Sequence, residues 1–520
     1  MTKQTFMKGA MILLAAGIVT RILGFVPRIA LPRLIGSEGV GLYQQGYPFL
    51  IVMLTLITGG IPLAVSKQTS EALALGDERR VRHIFRTAMT LTIGLALACT
   101  GLMLLLAPWI TTHLLPDARV YRSFLFMTPM LGIIAVSSVY RGYFQGRHNM
   151  LPTAYSQIAE TVLRIVFVLF FARWMLPWGL EWAAAGAMLG GVIGELGGLA
   201  VLLGHRMIER RRETGRPTAL PSASGGRAEP PVLGGLLRLS VPVTFSKLVG
   251  SLSYLLESIF IARALVAAGV ATALATSQYG ELQGMIIPIV LLPTALTYSL
   301  SVSLVPSLSE AAARGDHAII RKRLHQSIRL ALVSGAPFVV AMLLLAEPIC
   351  RLLFHHAEIA PMLQLMAPLA LFIYLQSPLQ AALQALDKPG VALRNTFFGA
   401  CVKLILIAQL ASNPALGIYG ALLAINANIM LVTVLHYFSV AKSTGYRFKL
   451  PDLGKVAAAM LIMGAALRWC FTSLPLDAEW LRAGIAFSGA LAVYLLLMVI
   501  MRIIDRHDVS RLPLIGRWFG

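Results

Sequence analysis

Five cations sit in stretches of this chain that are otherwise apolar: Arg21, Arg28, Arg164, Lys247 and Lys403. A guanidinium or ammonium at the centre of a membrane-spanning helix costs about 2.5–3.5 kcal/mol on insertion scales, so such a residue faces a cavity, a partner or the headgroup layer. The chemistry that uses several of them together is the binding of an anion. Phosphate and pyrophosphate are the natural match, because a guanidinium fork pairs bidentately with their oxygens and the charge-assisted bonds offset desolvation. Arg21 and Arg28 are seven residues apart and share a helical face with Gly17 and Gly24, with Pro27 expected to bend the helix between them. Arg28 and Lys247 lie near enough to span ends to snorkel to a headgroup. Arg21, Arg164 and Lys403 are deeper, and Glu160, Glu195 or Glu257 could neutralise one of them.

The elements that must hold these residues are membrane helices. Of 520 residues, 57% are hydrophobic and 13% charged, and the mean hydropathy is +0.76, whereas a soluble chain carries about 25% charge. The fold class is an all-α polytopic membrane protein. Fourteen apolar runs, each long enough for a hydrocarbon core of about 30 Å, lie near 6–31, 42–66, 86–108, 121–143, 153–175, 182–204, 239–265, 281–306, 327–346, 361–384, 393–411, 416–439, 453–472 and 481–503. The first follows Lys3 and Lys8 as a signal would, but Arg21 interrupts it and no small-residue cleavage site follows, so it is kept as a span.

The chain also resembles itself. Ser70-Glu71-Ala72 and Gly76-Asp77 return 239 residues later as Ser309-Glu310-Ala311 and Gly315-Asp316. The same shift carries Pro129 onto Pro368, Gln145 onto Gln384 and Arg164 onto Lys403, while Tyr43 and Tyr279 differ by 236. Repeated apolar halves predict two six-helix lobes in pseudo-two-fold repeat, the plan of a transporter that alternates access to a central site. The expected division is a first lobe over 1–204, a flexible basic cytoplasmic linker over 205–235, a second lobe over 236–440, and a helix pair with a cytoplasmic tail over 441–520. The Gly-Asp elements read as helix caps rather than substrate contacts. Pro288 and Pro293, inside one span, are gating candidates, and Gly59-Gly60 and Gly190-Gly191 with Gly194 are hinges or close packing points.

The net charge of +21 is distributed as topology rather than as a nucleic-acid surface. Arg79, Arg80, Arg82 and Arg86, then Arg206, Arg210, Arg211, Arg212 and Arg216, then Arg321, Lys322 and Arg323, then Lys442, Arg447 and Lys449 fall in alternate loops. The positive-inside rule puts these loops and both termini in the cytoplasm. The tail from Asp505, with Trp518 and Phe519 among its arginines, suits the inner membrane surface. Cys99, Cys350, Cys401 and Cys470 have neither disulfide nor metal-ligand spacing. Neither a metal nor a cofactor is expected, and no catalytic constellation.

Several runs of residues carry a resemblance. Tyr140-Arg141-Gly142-Tyr143-Phe144-Gln145-Gly146 with Pro152-Thr153-Ala154 behind it, Thr20-Arg21-Ile22-Leu23-Gly24-Phe25, Glu38-Gly39-Val40-Gly41-Leu42-Tyr43, and Tyr279-Gly280 with Ser299-Leu300-Ser301 resemble the stage V sporulation protein B group of bacterial polysaccharide transporters. That group's superfamily also holds multidrug extruders and lipid II flippases. The resemblance implies two lobes in a V, alternating access and no chemistry on the substrate, so the chain is not expected to be an enzyme. It implies, as partners, an undecaprenyl-pyrophosphate-linked saccharide, the bilayer of the bacterial cell membrane and a proton or sodium ion, in cell-wall, peptidoglycan or spore-cortex synthesis. The substrate-binding candidates are Arg21, Arg28, Arg164, Lys247 and Lys403, and the ion-coupling candidates Glu257 and Glu195. An arginine of the lipid II flippases' second span has no counterpart here, since 42–66 contain no lysine or arginine. A cation-coupled multidrug extruder and a membrane enzyme acting on lipid-linked sugars are the rival readings.

Overall fold

The computed structural model describes residues 6–213 and 231–503; the tail from Asp505 and most of the expected linker lie outside them. Every regular element described is helical. Packing divides the chain into two compact units, one of 1–285 with 412–417 and one of 286–411 with 418–520. In the first lie α1 (Phe6–Leu23), α2 (Phe25–Thr58), α3 (Ile61–Ala74), α4 (Glu78–Trp109), α5 (Val120–Met127), α6 (Pro129–Gly146), α7 (Leu151–Met175), α8 (Leu180–Glu213), α9 (Val232–Ala267) and α10 (Thr272–Gly280). In the second lie α11 (Ile287–Leu291), α12 (Thr294–Ala313), α13 (His317–Leu344), α14 (Ala346–Phe354), α15 (Ala360–Ala385), α16 (Pro389–Leu406), α17 (Ile418–Thr444), α18 (Leu450–Ser473) and α19 (Glu479–Ile500). The first unit thus takes in α9 and α10, which follow the linker and which the repeat assigns to the second lobe. They pack on α2 and α3.

Eleven stretches of the described chain are long and apolar enough to cross a membrane. One of them, Met11–Ala74, runs for 64 residues, about three times what a core of about 30 Å needs at about 1.5 Å per residue. It is divided at Gly36, whose φ of 69° and ψ of 177° fall in a region only glycine adopts freely. Gly24 separates α1 from α2, so the bend expected at Pro27 lies three residues earlier. Pro27 sits in the first turn of α2, where a missing N–H leaves no helical bond unmade. Helix α8 continues to Glu213, so the opening residues of the expected linker are helical.

The 239-residue repeat is visible in backbone geometry. Asp77 accepts a hydrogen bond from the Arg80 N–H at 2.8 Å, and Asp316 accepts one from the Ile319 N–H at 2.9 Å. Each caps the helix that follows it, and each is preceded by a left-handed glycine, Gly76 at φ 73° and Gly315 at φ 69°. His148 and Asp387, also 239 apart, share left-handed φ values of 55° and 57°. Asp and Ser type side chains satisfy helix N-terminal N–H groups that otherwise lack partners, so these elements serve the fold.

Small residues set the approach of neighbouring helices. A side chain on Gly190 would meet the Val168 backbone nitrogen at 2.3 Å, and one on Gly194 would meet the Arg164 Cβ at 2.7 Å. The glycines of α8 therefore bring α7 close and place Arg164 against it. Pro288 is the second residue of α11 and Pro293 caps α12, both just after a π-helical stretch at Glu281–Ile286.

Candidate anion-binding site

Helix α2 opens with Arg28, whose side chain is largely uncovered by protein. Its guanidinium lies 5.9 Å from the Phe25 ring centre. Two turns after the Gly36 break, α2 presents Tyr43 and, one turn on, Tyr47, their rings stacked at 6.2 Å. The charges of Arg28 and Arg164 both act on Tyr43, and Arg28 also acts on Tyr254 of α9. Helices α2, α7 and α9 thus bring two guanidiniums and three phenols into one electrostatic neighbourhood. Glu257 belongs to it as well: it acts on Tyr254 and accepts a hydrogen bond from Gln283 Nε2 at 3.1 Å. Phenols and guanidiniums together supply hydrogen-bond donors and positive charge, the two things an oxyanion needs.

Arg164 is held by carboxylates. Its Nη2 donates to Glu160 on the preceding turn of α7 and to Glu195 of α8, the latter at 2.7 Å. Arg141 of α6 donates to the other oxygen of Glu160 at 2.7 Å. Glu195 is 7% exposed and Arg164 35%, so one face of the network is sealed while the guanidinium reaches its edge. Two arginines facing two glutamates leave no net charge, and breaking such a network by removing one member strands a buried charge.

The remaining candidates have structural commitments. Lys247 Nζ donates to the Gly59 carbonyl at 2.7 Å, and Thr244 Oγ1, one turn earlier on α9, accepts from the Gly60 N–H at 3.0 Å. Together they satisfy the backbone groups freed where α2 gives way to α3. A side chain on Gly60 would meet the Ser240 carbonyl oxygen at 2.3 Å, so Gly59-Gly60 is a packing point of α9. Arg21 occupies the last turn of α1, where a cation complements the helix dipole. Lys403, 8% exposed, lies on α16 in the second unit.

A polar network gathers on α2 just after the Gly36 break. Asp117, 4% exposed, accepts from Arg119 Nε at 3.0 Å and from Thr276 Oγ1 at 3.0 Å. Arg119 Nη2 reaches Glu38 at 2.6 Å, and the Ser37 and Ser277 hydroxyls are 2.6 Å apart. The hydrogen bond to Asp117, against the opposing effect of burial, and then that to Glu38 raise the Arg119 pKa above its ordinary value. Under this network α10 crosses α2 backbone to backbone: a side chain on Gly41 would meet the Thr276 carbonyl oxygen at 2.0 Å, and one on Gly280 the Ser37 carbonyl oxygen at 2.1 Å.

Sequence reasoning names Arg28, Arg164 and Glu195 in the first lobe and Glu257 in the second, whereas all four lie in this unit; it passes over Tyr47, Gln283 and the Asp117–Arg119–Glu38 network. Arg141 was legible only as part of a motif near a span end. Its signal was there nonetheless, a third arginine among helices that also carry Glu160 and Glu195.

Comparison with known proteins adds three findings. Residues 6–310 match the family described as Polysaccharide biosynthesis protein, and residues 244–408 match MatE. The chain is 41% identical to Stage V sporulation protein B of Bacillus subtilis (strain 168), over 99% of both chains. It is 25% identical to Lipid II flippase MurJ of the same organism, over 89% of this chain and 87% of that one. Among solved structures, Lipid II flippase MurJ in its inward closed conformation superposes with a TM-score of 0.71 at 16% identity, covering 94% of this chain and 98% of that one. An inward-facing multidrug resistance MATE family transporter of the MOP superfamily gives 0.58 at 15% identity, covering 82% and 94%.

Proposed function

This chain belongs to the polysaccharide biosynthesis protein family, and we propose that it is a flippase that moves an undecaprenyl-pyrophosphate-linked saccharide across the bacterial cell membrane. The reading rests on one observation above the others: the same unit holds Arg28, exposed in the first turn of α2, and Arg164, 35% exposed at its carboxylate network. A pyrophosphate held there keeps its isoprenoid in lipid and its sugar in water. An inside-negative potential drives the anionic head outward at about 2.3 kcal/mol per charge per 100 mV.

In this reading the chain crosses the membrane fourteen times. Met11–Ala74 counts as two crossings about Gly36, and Leu151–Met175 and the broken run Thr272–Ala313 add one each to the remaining ten stretches. The basic loops and both termini face the cytoplasm. The two six-helix lobes, divided at the linker, alternate access by rocking, with Pro288 and Pro293 at the gate. Arg21 and Arg28 receive the head from the first lobe, and Lys403 from the second. Lys247, with two donors beyond its bond to Gly59, contributes from α9. Glu195 and Glu257 are the carboxylates through which a proton or sodium ion acts. The saccharide belongs to cell-wall or spore-cortex synthesis, in line with what the sporulation relative's name says of that protein.

The test reconstitutes the full chain in liposomes and follows a labelled undecaprenyl-pyrophosphate saccharide between leaflets. Movement should fall at least about tenfold in Arg28→Ala, the loss of one charge-assisted pair. Unchanged transport in Arg21→Ala, Arg28→Ala and Arg164→Ala alike would remove the cationic site. A drug-exporting reading draws on Glu257, buried beside Gln283. Efflux of a cationic dye, lost in Glu257→Gln and without saccharide movement, would favour it.

A further inference from the structure

Glu195 is the residue that the anion-binding arrangement leaves unexplained. It is 7% exposed, Arg164 takes only one of its oxygens, and the buried Oε2 has no hydrogen-bond partner. A buried carboxylate oxygen without a donor is a costly thing to keep ionised. The other Glu195 oxygen and an oxygen of Glu160 accept from the same Arg164 Nη2, so the two carboxyl groups lie side by side, an arrangement that a shared proton relieves.

Charged and titratable groups reach the pair from each helix packed around it. Helix α7 brings Glu160 and Arg164, α6 brings Arg141, and α2 brings Tyr43 and Tyr47, which act on Arg164. The charged residue of α5, Arg122, is stacked on Trp182 at 4.0 Å, near the start of α8. On α8 itself Glu181 lies before Glu195, and His205, Arg206 and Glu209 lie beyond it. Arg21 stands on α1, which packs against α7.

Resting on the flippase reading, we infer that Glu195 and Glu160 form a proton-binding carboxyl pair whose occupancy is set by whether an isoprenoid diphosphate sits on Arg164. Arg164 Nη2 already serves both carboxylates, and the side chain as a whole is 35% exposed. An anion arriving there shares the guanidinium charge with Glu195 and Glu160 and repels both. The pair answers by taking a proton from water, which bonds to Glu195 Oε2 and is donated to Glu160. The proton offsets one of the anion's charges and is released when the anion leaves. Transport is in this way tied to a proton at the site itself.

The experiment titrates the purified full chain in lipid nanodiscs with farnesyl pyrophosphate by calorimetry at about pH 8, well above the ordinary carboxylate range of about 4. Two buffers of different ionisation enthalpy report the protons taken up. The wild type should bind with uptake approaching about one proton per anion. Glu195→Gln should bind with that uptake abolished, and Glu160→Gln, which removes the shared-proton acceptor, should reduce it; size-exclusion profiles confirm that both are folded. The same uptake with inorganic pyrophosphate would identify the diphosphate as sufficient and supports the pair equally. Binding with identical heats in both buffers, or full uptake retained in Glu195→Gln, overturns the pair and leaves the flippase reading standing. Absence of binding to the wild type overturns both, and undiminished uptake in Arg164→Ala shows that the anion is not on Arg164.

Discussion

The crossing of α2 with α10 and the carboxylate network around Arg164 treat the same 239-residue repeat in opposite ways. At the crossing, repeat partners meet each other: Gly280 stands 239 residues after Gly41, and a side chain on Gly280 would lie 2.5 Å from the Gly41 nitrogen. Both halves keep glycine there because each backbone needs the other's missing side chain. At the network the halves have parted. Arg141, Glu160, Arg164 and Glu195 correspond by the same shift to Gln380, Gly399, Lys403 and Val434. A cation survives in both halves, but the acidic partners stand only in the first. Symmetry is retained where the halves must fit together and lost where one of them manages charge.

That contrast can be broken at several points, beginning with the network. Glu195→Ala strands Arg164 against a single carboxylate and should cost about 3 kcal/mol, whereas Val434→Ala at the corresponding position should cost under about 1 kcal/mol. Chemical unfolding of the detergent-solubilised protein measures both, and equal losses would mean that the halves do not differ in this respect. The crossing should respond next. Gly41→Ala and Gly280→Ala should each cost about 1–3 kcal/mol by overpacking, and the double variant less than their sum, because either one already opens the same contact. Strict additivity would separate the two glycines.

A covalent version asks whether the crossing persists during transport. Ser37→Cys with Ser277→Cys replaces hydroxyls 2.6 Å apart and should oxidise to a disulfide, seen as a mobility shift reversed by reductant. Transport in the oxidised form should be arrested and should return on reduction. The smallest effects belong to the matched caps: Asp77→Ala and Asp316→Ala should each cost about 1 kcal/mol. A gap of several-fold between them would show that the halves differ even where their geometry agrees.

The sequence made these regions legible to unequal degrees, for physical reasons. The caps could be read because their chemistry closes within four residues of Asp77 and Asp316. Long apolar runs could be read because the bilayer imposes a minimum length on any helix that crosses it. Half of the network was also within reach, since Glu160 and Arg164 are one turn apart on a single helix. Glu195, one of three carboxylates the sequence offers as a partner, completes it from another helix, and it is the close approach at Gly194 that selects it. The role of Lys247 was out of reach for a different reason. Its partner is the carbonyl of Gly59, and a backbone atom leaves no letter in the sequence. A cation counted there as charge for a ligand is first of all the cap of a broken helix.

Gly36 has a consequence of another kind. A side chain placed there would touch nothing within 4 Å, so room is not what the position demands. Its constraint is handedness. With φ at 69° and ψ at 177°, the backbone is the mirror image of an extended L-residue, and a D-alanine would sit there with relaxed torsions while L-alanine would be strained by about 1–3 kcal/mol. The break in α2 at Gly36 is therefore a stereochemical requirement, met in a ribosomal product only by the one amino acid that has no hand.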